Sequence, residues 1–365
     1  MLLAGHAMLA RRDLLGLCVG CGLAGCAAPP APPRASAPVL WPAPPDQPRY
    51  RFEAALRSAR SLSEGSQGGQ VRRLLTGEDD IATFGKPYAV AAAQGRVYVG
   101  DTEGRRIFVF DLARRRSFAF GMRREGELKK PAGIALDAAS NLHVVDATAR
   151  RLVVYDALGL YLRDIDGAAE WVRPSGVAVS ADGQRLFVVD TGGVESEAHR
   201  VLEYDGKGRL VRRIGERGDA PGRFNLPVDA AIGPDGTLWV LDAGNFRVQA
   251  FDAQGRFVRT FGSAGNGFGQ FGRPRGLAVD RDGLVYVSDA SFCNVQVFRP
   301  DGELLLALGS RGTDDAPGSY RLPAGVATDE TGRLYVVDQY FHKIEVIKRL
   351  SDAEGQRLQT AAGPV

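Results

Sequence analysis

Three features of this 365-residue sequence predict an all-β chain: a six-bladed β-propeller of four-stranded antiparallel blades, its ring closed by an N-terminal strand. The phrase VLDAGNFRVQAF at residues 240–251 returns as VSDASFCNVQVF at 287–298, so the chain repeats itself. Six aspartates that end apolar strands, Asp101, Asp146, Asp190, Asp242, Asp289 and Asp338, stand 44 to 52 residues apart, and a proline lies 14 to 16 residues before each. The 46 glycines suit short strands joined by tight turns better than long helices.

The elements follow in chain order. Arg11 and Arg12 precede an apolar run, 14–25, that is too short to span a bilayer as a helix but suits a signal peptide over residues 1–25. The run ends in Leu23-Ala24-Gly25-Cys26, which resembles the lipobox of bacterial lipoproteins and makes Cys26 the expected lipidation site. The stretch ARRDLLG loosely resembles a twin-arginine export motif, so the export route stays open, as does a start at Met8. Residues 26–48 contain nine prolines and read as an extended spacer. The expected location is the bacterial cell envelope, lipid-anchored and facing the periplasm. Ala27 rather than an aspartate after the cysteine favours the outer membrane. Cys18 and Cys21 fall in the signal segment, which leaves Cys293 without an intramolecular partner and provides no disulfide framework.

Residues 49–350 carry the propeller. RYRFEAAL, at 49–56, has no sheet of its own and can supply the fourth strand that the last unit lacks. Each unit then offers a strand from its proline, a turn such as Asp282-Gly283, a strand ending in the aspartate, a third strand and in most cases a fourth. The third strands are RIFVF, RLVVY, RVLEY, RVQAF, NVQVF and KIEVI. Units of this length with four short strands match propeller blades rather than helical solenoids. Residues 351–365 read as a polar tail.

The recurring pattern of Pro-x-Gly, apolar-Asp, then Arg or Asn opening an apolar-Gln-apolar-Phe strand resembles NHL repeats, whose members form six-bladed propellers. Gly133, Gly176, Gly276 and Gly325 keep the glycine, whereas Ala89 and Asp229 depart from it. The resemblance implies fold more than activity, since the family includes protein-binding, RNA-binding and lyase members.

Six aspartates in equivalent places read as structural hinges, expected to accept loop N–H groups and to pair with the basic residue that opens the third strand. Function is sought where the repeat breaks. Between Asp190 and Arg200 the loop is longer than elsewhere, and it brings Glu195, Glu197 and His199. Lys86, Lys130, Arg173 and Arg273 immediately precede inner-strand prolines and Arg275 follows one, so they are candidates to ring the channel mouth and attract an anion. Ordinary solvated loop cations are the competing reading. Asp229 either faces the channel or caps a turn. Phe84, Leu128, Trp171, Phe224, Phe271 and Tyr320, three before the prolines, read as plugs between blades.

A net charge of +3 is not strongly basic and demands no nucleic-acid partner. No nucleophile motif is visible, and His143, His199 and His342 read as structural or solvated, so no catalytic or metal-ligating residue is assigned. The primary expectation is a protein- or peptide-binding module acting through its loop-rich face, with no cofactor and with the membrane reached through a lipid anchor. Two alternatives stand beside it: a metal-dependent lyase or lactonase-like hydrolase, under which calcium or zinc would enter, and a binder of an anionic glycan at the channel mouth.

Overall fold

In the computed structural model, which describes residues 37–62 and 83–361, each strand-opening proline lies opposite the aspartate that ends the next strand. The pairs are Pro87 with Asp101, Pro131 with Asp146, Pro174 with Asp190, Pro227 with Asp242, Pro274 with Asp289 and Pro323 with Asp338. The constant proline-to-aspartate spacing is thus the length of one hairpin. Each aspartate also lies opposite the first residue of the third strand, as Asp242 does opposite Arg247. Five antiparallel sheets of four strands follow one another along the chain, opening at Pro87, Pro131, Pro174, Pro227 and Pro274. The sixth holds Pro323–Thr328, Arg333–Asp338 and Lys343–Arg349, and is completed by Tyr50–Leu56 from the other end of the chain. The six inner strands contact one another in ring order, the last meeting the first, so the fold is a closed six-bladed β-propeller.

Side chains alternate across each strand, so every blade offers an apolar face to each neighbour, and six buried clusters lie between successive blades. The plugs behave as expected: Leu128, Trp171, Phe224, Phe271 and Tyr320 are at most 1% exposed and Phe84 is 4% exposed. Closure by Tyr50–Leu56 removes the edge that the sixth blade would otherwise present.

The chain ends show more structure than their composition suggests. Leu40–Trp41, within the segment read as a spacer, pairs with Tyr50–Leu56 as a fifth strand on the sixth blade. Trp41 packs with the cluster around Tyr50 and Tyr320, so ordered packing begins well before residue 49. In the polar tail, a helix Asp352–Ala361 lies against the same segment: Gln359 donates to the Pro45 carbonyl at 2.7 Å, and Arg49 pairs with Asp352. Residues 1–25, the proposed lipidation site Cys26 and the first part of the spacer lie outside the described residues. No described helix is long and apolar enough to cross a membrane.

Candidate functional site at the channel mouth

The repeat aspartates are hinges in geometry as well as in position. All six are fully buried. Asp101 accepts the N–H groups of Gly85, Lys86 and Gly104, and Asp338 those of Arg321, Leu322, Tyr340 and Phe341. Each carboxylate therefore ties the loop entering its blade to the loop leaving its second strand. The expected pairing with the third-strand base is only partly realised. Arg247 meets Asp242 at 2.8 Å, whereas Arg106 and Arg200 stay 3.7 and 3.8 Å from Asp101 and Asp190. Asn294 carries no charge, and Lys343 turns to Glu345 and Asp315 instead.

Because five of these aspartates hold the residue before their blade's proline, they also fix residues whose side chains crown the channel. Lys86, Lys130, Arg173, Arg273 and Arg275, far apart in sequence, line one cavity of about 600 Å³ at the axial mouth on the loop-rich face. Four donate a backbone N–H to their own blade's aspartate, at 2.7 Å for Lys86 and 2.8 Å for Arg173. Arg275 lies over the Tyr88 ring, 5.4 Å from its centroid, and reaches Gln339. Among the described residues no aspartate or glutamate lines this cavity, and none of the five cations forms an ion pair.

Below the mouth the channel continues through a smaller throat of about 200 Å³, whose charged lining among the described residues is Asp229 and Arg275. Of the two readings of Asp229, the channel-facing one describes its position. It accepts the N–H of Leu277, on the neighbouring blade, and that of Ala230, each at 3.0 Å. Burial pushes its carboxyl up to about 7, against the pull of those two donors. The far mouth carries Asp137, Asp182, Asp280 and Arg281.

The structure places the blade-three insertion beside these residues and turns part of it inward. His199, a candidate contact residue in the sequence, is fully buried and cannot meet a partner without the loop opening. Its Nε2 lies 2.9 Å from the Gly193 carbonyl, and its Nδ1 accepts the Leu226 N–H at 3.3 Å, so it pins the loop. Leu226 occupies the position that Lys86 or Arg273 fills in other blades, has a φ of 50° and gives its N–H to His199 rather than to its own aspartate. Glu195 and Glu197 remain exposed, Glu197 pairing with Arg217 at 3.1 Å. Sequence reasoning passed over Thr191 and Ser175. Thr191 donates to the Pro227 carbonyl at 2.7 Å and Ser175 to that of Val228 at 2.9 Å, which steadies the strand that carries Asp229. Their signal was the polar residue at each of two positions that the repeat does not dictate.

Among the described residues no three His, Cys, Asp or Glu side chains converge as a metal site. His143 sits 3.2 Å from Asp137 beneath the far mouth, where Tyr286 and Tyr335 make equivalent bonds to Asp280 and Asp329 in their own blades. His342 approaches the Phe84 carbonyl at 3.2 Å.

Fold and repeat geometry thus define a closed propeller with a basic axial mouth. Residues 224–251 and 271–299, in the fourth and fifth blades, match the NHL repeat family, and the chain folds as a six-bladed β-propeller that carries these repeats. No curated protein matches its sequence. Solved structures of similar fold include a streptogramin B lyase at 12% identity, covering 73% of this chain and 94% of that one with a TM-score of 0.54. A gluconolactonase from Xanthomonas campestris is 20% identical over 73% of this chain and 86% of its own, with a TM-score of 0.55. A virginiamycin B lyase from Staphylococcus aureus is 9% identical over 82% of this chain and 100% of its own, with a TM-score of 0.51. At such identities the likeness is one of fold.

Proposed function

We propose that the protein is a binding module of the cell envelope that captures an acidic segment of a partner protein at the axial mouth of its loop-rich face. The observation that carries this reading is the convergence of five cations from four blades on one cavity with, among the described residues, no carboxylate in its wall. Unpaired cations held in a concave site focus field lines outward and raise the local concentration of anions. The surrounding loops add apolar contacts, since Val172, Val194, Phe268 and Tyr340 are all exposed, Phe268 at 94%. Apolar anchors around a charged centre suit a protein surface better than a small free anion.

The test is binding of a labelled polyglutamate peptide to the wild type and to a variant with Lys86, Lys130, Arg173 and Arg273 changed to glutamine. Affinity should fall steeply with salt in the wild type and be weak throughout in the variant. Equal affinity of the two proteins would overturn the reading. Stronger capture of a sulfated glycan than of any acidic peptide would move the assignment to glycan binding. The envelope location rests on the sequence around Cys26, and a Cys26→Ser variant should leave the membrane fraction, because stable anchoring needs the acyl chains. A variant that stays membrane-bound would refute lipid anchoring.

A further inference from the structure

At the throat the chain trades packing for a charge. Four of the six blades carry glycine at the inner-strand position that Asp229 occupies in the fourth, and the next blade presses against it: a Cβ on Gly276 would lie 2.5 Å from the Ala324 carbonyl oxygen. Asp229 is accommodated because its other neighbour is Gly176, where a Cβ would come 2.8 Å from the Asp229 Oδ1 atom. A carboxylate in a throat walled mostly by alanine, valine, leucine and isoleucine, with Ser175, Thr328, Tyr88 and Arg275 as its other polar lining, is costly unless something pairs with it. Two N–H groups approach it and, among the described residues, no cation does. The side-chain hydroxyls of Ser175 and Thr191 meanwhile donate to the backbone carbonyls of Val228 and Pro227 and hold the top of its strand in place. Positional support around a carboxylate that no cation pairs with and that departs from the repeat's glycine is the arrangement expected of a recognition group.

We infer that the throat receives a lysine side chain of the acidic partner segment, its ammonium ending on Asp229 while flanking carboxylates rest on Lys86, Lys130, Arg173, Arg273 and Arg275. The inference rests on the anion-capture reading above and names what that site selects. Asp229 lies two residues below Pro227 along its strand, roughly 7 Å at the usual strand rise. A lysine stem reaches about that far, is unbranched and ends in a compact charge, which suits a throat of about 200 Å³ better than the planar guanidinium of arginine does. The ring of cations repels a basic peptide, so a lysine gains entry only between acidic neighbours, which gives selectivity by exclusion as well as by attraction.

Two fluorescent pentapeptides test this: Glu-Glu-Lys-Glu-Glu, and a twin with norleucine, which keeps the stem and loses the charge. Wild type should prefer the lysine peptide by about tenfold or more, the order expected of a desolvated charge pair. Asp229→Asn, whose retained fold is checked by thermal unfolding, should bind both peptides alike. The variant with four neutralised ring residues should lose both together. Equal affinity of wild type for the two peptides, or a lysine preference that survives Asp229→Asn, would overturn the inference and leave anion capture standing. Failure of wild type to bind either peptide at low salt would remove both.

Discussion

Asp229→Asn is also a thermodynamic probe of the throat. The unfolded chain releases this proton near the ordinary value of 3.8, whereas the folded protein holds it until about 7. Between those values the folded state binds more protons than the unfolded, so the contribution of Asp229 to stability is largest at low pH and is lost as pH rises through 7. At ~1.4 kcal/mol per pH unit the full loss is ~4 kcal/mol, and the part that falls between pH 5 and pH 8 is ~2–3 kcal/mol. Asparagine does not ionise and keeps an oxygen for the Leu277 N–H, so it lacks this pH term. Urea unfolding of both proteins at pH 5 and pH 8 reads the difference directly, since all other titrating groups cancel. The stability of wild type relative to the variant should fall by ~2–3 kcal/mol on going to pH 8. A difference that stays constant within ~0.5 kcal/mol would show that the throat does not strip water from the carboxylate.

Asp242→Ala should cost ~3 kcal/mol in chemical unfolding, because Asn225, Asn245, Arg247 and Gln249 all lose a buried acceptor, while peptide binding by the folded fraction is retained. Loss of binding without loss of stability would make the repeated aspartates part of the site. Deleting residues 49–58 should leave Lys343–Arg349 as a bare edge and cause aggregation on light scattering, and a monomeric, stable product would refute closure by that strand. Removing the helix Asp352–Ala361 should change stability by ~1 kcal/mol or less, since its ion pair with Arg49 is exposed, and a larger loss would mean that its packing on residues 45–49 matters more than the pair.

The sequence by itself determined the blade. The proline-to-aspartate spacing encodes one hairpin, the step from aspartate to the next strand encodes one loop, and both are local quantities that repetition makes legible. The plugs and the closing strand followed from the same periodicity, because an aromatic in a fixed place or a strand without a sheet can be read without knowing its neighbours. The site could not be read in this way. Lys86 and Arg273 are 187 residues apart in the chain, and only the ring brings them to one cavity. The two readings of Asp229 were equal on paper, because the groups that distinguish them, Leu277 and Gly176, belong to other blades. His199 read both as a loop contact residue and as a structural one, and the fold made it a buried pin, since a loop's hydrogen-bond partners depend on how it folds back. Leu40–Trp41 looked like spacer because proline-rich composition reports what a segment can do alone, whereas the open edge of the sixth blade supplied the partner that made it a strand.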